Sequence, residues 1–141
     1  MPELSGLLQV LLSPEAYPHK PKQIELLQTR ISAVFLAGDY VYKIKKPVLL
    51  DFLDFTSLDK RHFYCHQEVR LNRRLCPDAY LGVVPIIQDK DRYYVEGSGT
   101  AIEYAVKMKH LPHGRMMDKL LDAGQVTPQR LDVLANKLAE F

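Results

Sequence analysis

The chain is poor in the features that mark most specialised protein classes. Its two cysteines, Cys65 and Cys76, are too few for a disulfide framework. No apolar run approaches the roughly 20 residues of a membrane helix, and no basic N-terminal segment precedes an apolar one. Neither a span nor a secretory leader is therefore expected, and a reducing, cytoplasmic setting is. Charge of one sign is lacking too: 19 Lys and Arg against 17 Asp and Glu leave +2, too little by itself to imply a nucleic-acid or membrane surface. There is no internal repeat, no low-complexity segment, no C-x-x-C, no H-E-x-x-H and no G-x-G-x-x-G. What remains is an ordinary globular composition, 47% hydrophobic and 26% charged, in 141 residues that fit one domain.

Periodicity and turn residues predict an α+β order. Residues 3–12 read as a short amphipathic helix stopped by Ser13-Pro14, and 14–22, with three prolines, as a loop. Strands are expected over 23–29, 32–36 and 39–47, the last two joined by a tight turn at Ala37-Gly38-Asp39. Thr56, with Ser57 beside it and Asp59 three residues on, predicts the start of a long helix running to about Leu75, before Cys76-Pro77. Strands follow over 82–88, 92–95 and 101–109, then a connector over 110–114. A helix over 115–123 should stop at Gly124, and Thr127-Pro128 should open a last helix over 129–141. This divides the chain into a helix and loop (1–22), a lobe in which an antiparallel sheet packs on one long helix (23–109), and the start of something helical (110–141). The last helix meets no stop signal, which suggests a chain cut from something longer.

The stretch YVYKIKKPVLLDFL carries three lysines inside a strand pattern. Alternation puts Tyr40, Tyr42 and Ile44 on one face and Val41, Lys43 and Lys45 on the other. Lys45 and Lys46 lie near the exit at Pro47, where an ammonium reaches water easily. Lys43 sits in mid-strand with less room. On the long helix, Tyr64, Glu68, Leu71 and Leu75 form one stripe in which Glu68 is the odd member. A carboxylate on a buried face needs a cationic partner, and Lys43 is the candidate. A strand lysine held by a helix glutamate is how kinase folds present an ammonium to nucleotide phosphates. The bland reading is a solvated edge lysine and a glutamate at the margin of its stripe.

Two other constellations stand out in the sequence. His62, Cys65, His66 and Cys76 have partial metal-ligand spacing without a fourth ligand in pattern, and a packed helix with a buried cysteine explains them more simply. Lys43, Lys45, Lys46, Arg70, Arg73 and Arg74 with Tyr40 and Tyr42 would suit nucleic acid, but Asp51, Asp54, Asp59 and Glu68 interleave with them.

The runs TRISAVFLAGDYVYKIKKPV, LDFLDFTSLDKRHFYCHQEVRLNRRLCPDAYLGVVPI and IEYAVKMKHLP resemble the start of a bacterial aminoglycoside-phosphotransferase-like family. Its kinase-like region is often followed by a P-loop ATPase-like domain. The resemblance covers roughly residues 20–141. It implies a kinase-like N-terminal lobe and the first helices of a truncated C-terminal lobe. It further implies a phosphate-binding Lys43, a Glu68 that holds it, an adenine pocket lined by Val41, and a hinge near Met108 and Lys109 whose backbone groups meet the adenine edge. ATP and Mg²⁺ are implied as nucleotide and metal, an unidentified small hydroxyl compound as acceptor, and the missing lobe, with the P-loop ATPase domain that often follows it, as partners. The family's H-G-D-x-x-x-x-N pattern is absent: His113-Gly114 is followed by Arg115. The Mg²⁺ ligands and catalytic aspartate are therefore expected outside this chain, and no catalysis is expected from it alone. The turn Thr29-Arg30-Ile31-Ser32 has no glycine, and Ser32 is the candidate to offer a hydroxyl or N–H to phosphate. Alternatives are a non-catalytic binding or regulatory module, a degenerate kinase, or, less favoured, a nucleic-acid-binding domain.

Overall fold

The computed structural model describes residues 3–141. Its strands are β1 (Glu25–Gln28), β2 (Ser32–Ala37), β3 (Tyr40–Lys45), β4 (Leu49–Leu50), β5 (Leu53–Asp54), β6 (Tyr80–Asp89), β7 (Arg92–Val95) and β8 (Thr100–Lys109). Its helices are α1 (Leu4–Val10), α2 (Leu58–Asn72), α3 (Met117–Asp122) and α4 (Pro128–Glu140), with single 3₁₀ turns at Pro14–Ala16 and His113–Arg115. Six strands form one antiparallel sheet in the order β1-β2-β3-β8-β6-β7, and β4 with β5 makes a separate small hairpin. The α+β class with an antiparallel sheet stands as expected from the sequence.

Alternation along the strands gives the sheet two unlike faces. Ala33, Phe35, Ala37, Tyr42, Ile44 and Ala105 enter the main core, closed by Leu7, Leu8 and Leu11 of α1 and its end and by Ala16 and Tyr17. The segment 14–22, expected as plain loop, therefore carries core residues, and the Tyr17 hydroxyl donates to the Leu11 carbonyl at 2.7 Å. On the opposite face, Cys65 and Val69 of α2 pack on Val106, beside Tyr80, Val83, Tyr104 and Met108. That helix covers β8 and β6 and leaves the β1–β2–β3 part of the face open, where Leu27 is exposed.

Local chemistry explains the boundaries. At the β2–β3 turn Gly38 has φ +67°, which L side chains rarely adopt. A Cβ there would also meet the Pro21 side chain at 3.3 Å. The N-cap of α2 is Ser57, whose hydroxyl accepts from Lys60 N–H at 3.2 Å, rather than Thr56. Thr56 is engaged by Asp54 instead. α2 ends at Asn72, short of the expected Leu75, and the expected helix over 115–123 is split between the 3₁₀ turn and α3. Thr127 caps α4 as the Thr-Pro signal predicts, accepting from Arg130 N–H at 3.2 Å. Leu131, Leu134 and Leu138 of α4 are exposed.

Candidate functional site

Strand β3 and helix α2 meet at a three-charge cluster. Lys45 Nζ donates to Glu68 Oε1 at 3.0 Å, and Lys43 Nζ lies 3.4 Å from the same oxygen. The expected Lys43–Glu68 pair is therefore present, but it is the outer of two. Lys45 is the buried member, with a side chain 7% exposed against 31% for Lys43 and 15% for Glu68. The expectation that Lys45 escapes to water at the strand exit is wrong. The β4–β5 hairpin and Phe55 fold back over that exit: Phe55 N–H bonds the Val48 carbonyl at 2.9 Å, and the Phe55 ring lies 4.9 Å from the Lys45 ammonium. Lys46 N–H continues the pairing to the Ile31 carbonyl at 2.8 Å, so the chain does not peel away there.

Glu68 reaches the sheet by a different helix face from the one the sequence suggested. The buried residues of α2 are Arg61, Cys65 and Val69, while Tyr64, Leu71 and Leu75 are exposed. The stripe is offset by one residue because small Cys65 and Val69 fit against Val106 of β8. Glu68 lies at its edge, far enough inward that Oε2 is buried without a hydrogen-bond partner among the described residues. Two ammonium groups on one carboxylate leave the cluster with a net positive charge. Lys45 is sealed in, so that charge faces out at Lys43.

The open part of this face holds two recesses side by side. One, of about 770 Å³, lies between the turn carrying Thr29, Arg30, Ile31 and Ser32 and the hairpin carrying Leu49 to Phe52, with Lys43 between them. The other, of about 650 Å³, is mostly apolar and includes Leu27, Leu36, Val41, Met108, Leu111 and Met116. Lys109 lies at its rim. Val41 and Lys43 are two residues apart on one strand face, about 7 Å, so the recesses are neighbours.

Two expectations change in detail. Ser32 lines the first recess, but it is 3% exposed and closed into its own turn. Its hydroxyl is 2.8 Å from the Thr29 hydroxyl, and its N–H donates to the same oxygen at 3.0 Å. Its N–H is thus spent. At the expected hinge, the N–H of Lys109 bonds the Ala79 carbonyl and that of His110 the Asp39 carbonyl. A base edge would have to use groups beyond them, such as Leu111. The metal reading of the helix residues loses its geometry: Cys65 is fully buried against Tyr104, burial pushing its thiol up to about 11, while Cys76 is exposed. His62 and His66 do approach, Nε2 to Nε2 at 3.1 Å, but His62 is stacked on Tyr104. Burial, with His66 beside it, lowers the His62 pKa. Among the described residues no three His, Cys, Asp or Glu side chains converge.

Sequence reasoning also missed a second buried ion pair. Arg61 Nε lies 3.1 and 3.2 Å from the two carboxylate oxygens of Glu103, and Nη1 donates to the Phe55 carbonyl at 2.9 Å. Burial pushes the Glu103 carboxyl up, with Arg61 opposing. This pair fastens α2 to β8 and holds the residue that covers Lys45. A charged residue amid the apolar pattern of residues 101–106 was its only sequence signal. The arginines of the supposed basic patch are engaged locally: Arg73 donates to the Tyr80 and Leu81 carbonyls, Arg70 to Gln67, and Arg74 stacks on Phe141.

No helix among the described residues is long and apolar enough to cross a membrane. No family model matches the chain, and no solved structure matches it. It is similar to uncharacterized proteins of Mycobacterium bovis and of two strains of Mycobacterium tuberculosis, each 33% identical over 118 residues, which is 84% of this chain. The chain spans 22% of the length of those relatives.

Proposed function

We propose that this chain is the nucleotide-facing, kinase-like N-terminal lobe of a small-molecule phosphotransferase, which in the intact parent passes the γ-phosphoryl of ATP to a hydroxyl of a small acceptor. The observation that carries the reading is the charge cluster: a strand lysine, held by a helix glutamate, turns a net positive charge into a recess next to an apolar one. Phosphoryl transfer relies on positioning and on charges aimed at the phosphates, and a strand lysine paired with a helix glutamate is one such device. Glu68 and Lys45 would hold the cluster rigid, and Lys43 would meet phosphate oxygens. Val41, Leu27 and Met108 would take the base between apolar side chains.

Mg²⁺ does not fit the residues described. Asp51 is the carboxylate lining the phosphate-side recess, and Glu68 Oε1 is taken by two lysines. Mg²⁺ prefers several oxygen ligands in octahedral array, so no step is assigned to it here. The acceptor, the C-terminal lobe and a P-loop ATPase domain belong to the same proposal. The second reading, a module that binds without transferring, draws on the closed Ser32 turn and the committed N–H groups of Lys109 and His110.

The test is a titration of the chain with ATP and with AMP, followed by amide chemical shifts. Shifts should cluster at Val41, Met108 and Leu111 for both ligands, and Lys43→Met should weaken ATP about tenfold, the scale of one charge-assisted contact. Unchanged ATP affinity in Lys43→Met would remove the assignment.

A further inference from the structure

The recess at Lys43 has two walls that the charge cluster does not explain. One is the glycine-free turn between β1 and β2. There Arg30 is exposed, lines the recess, and has no hydrogen-bond or ion-pair partner among the described residues. The turn beneath it is stiffened by the Thr29 hydroxyl, which accepts from the N–H groups of Ile31 and Ser32 at 3.4 and 3.0 Å. The other wall is the β4–β5 hairpin, at whose tip Phe52 is 83% exposed, with Leu49 68% exposed beside it. Two large apolar side chains held out on a paired hairpin next to a cationic recess have nothing to cover in the structure as it stands. Asp51 lies on the same hairpin, so Arg30 and Lys43 together leave the mouth one charge positive.

We propose that the turn and the hairpin are two jaws of an oligophosphate subsite, Arg30 supplying its second cation and Phe52 the apolar cover that keeps water from the terminal phosphates. The inference rests on the nucleotide reading and deepens it. A guanidinium fork suits phosphate oxygens bidentately, where the Lys43 ammonium acts as a point charge. Excluding water strengthens both contacts. The jaws discriminate by the length of the phosphate chain, because the apolar recess lies on the far side of Lys43 and the jaws meet only what extends past it.

The experiment titrates the 141-residue chain with ATP, AMP and inorganic tripolyphosphate at fixed ionic strength, reading amide shifts for wild type, Arg30→Gln, Phe52→Ser and Lys43→Met. Both jaw residues are exposed, so the variants should keep their fold. Arg30→Gln should cut the preference for ATP over AMP about tenfold, and Phe52→Ser about threefold, with AMP unaffected. If the ATP-to-AMP ratio survives both changes but falls in Lys43→Met, the jaws are refuted and the nucleotide reading stands. If tripolyphosphate binds in an Arg30-dependent way while AMP does not bind, the jaws stand and the nucleotide reading falls. If wild type binds none of the three ligands, both are overturned.

Discussion

Replacing Lys45 with methionine should destabilise the fold far more than the same change at Lys43. At an effective dielectric constant of about 20, charges 3.0 Å apart attract by about 5.5 kcal/mol, and at 3.4 Å by about 5, so Coulomb energy alone hardly separates the lysines. Burial does. Lys45 is 7% exposed, under the Phe55 ring, and its loss leaves Glu68 to an outer partner that is 31% exposed. Breaking a buried pair costs about 3–5 kcal/mol, and the remaining contact to Lys43 brings that to about 3. For a domain of this size that is about 10 °C in Tm. Lys43→Met keeps the inner pair intact and should cost under about 1 kcal/mol, as exposed pairs do. Thermal and urea unfolding followed by circular dichroism at pH 7 would measure both. In 0.5 M NaCl the Lys43 effect should vanish while the Lys45 effect persists, since salt screens exposed charges far more than buried ones. A Lys43→Met variant as unstable as Lys45→Met would refute the division into anchor and ligand.

Arg61→Leu should cost about 3–5 kcal/mol in urea unfolding, because it strands the Glu103 carboxylate and frees the Phe55 carbonyl, whereas Arg61→Leu with Glu103→Leu should recover most of that loss. A double variant no better than the single would show that the pair does more than neutralise itself. The Asp54 carboxyl, held below the ordinary range by the Lys60 ammonium and by Thr56, predicts a shallow acid limb, since the group is exposed and water screens the pair. Its folded pKa is depressed, so its contribution is complete above about pH 4, the unfolded value, and fades as pH falls through the folded one. Asp54→Asn should flatten that limb in a pH series of Tm values, and an unaltered limb would assign it elsewhere.

The local parts of the site were legible because they follow from short-range geometry. Alternation put Val41, Lys43 and Lys45 on one strand face, and Gly38 at a positive φ made the turn that begins that strand. A carboxylate amid a run of apolar and aromatic residues at helical spacing drew attention to Glu68, although the stripe it was read in proved to be the exposed one. Thr127 marked one helix start and the Thr56-Ser57 pair placed another to within one residue, since capping needs only an oxygen and nearby N–H groups. Less legible was the segment 48–55, where no element was expected and the β4–β5 hairpin stands. Its role arises from Phe55 folding over a strand end ten residues earlier, which no local propensity encodes. The offset of the α2 stripe was likewise invisible. Arg61 becomes an inward residue only because Glu103, 42 positions away, sits opposite it.

By itself the sequence determined the class of the fold, the presence of a mid-strand lysine and of a glutamate among apolar residues of a helix, and the absence of an H-G-D pattern for transfer chemistry. Those features depend on periods of 2 and 3.6 residues and on residue identity, which a single sequence displays in full. The tertiary structure alone decided which lysine is sealed and which is free, which helix face is buried, and that two recesses lie side by side on the open half of the sheet. Each of these depends on what a distant segment covers. Desolvation, not position in the strand, makes Lys45 the anchor and leaves Lys43 facing the recess.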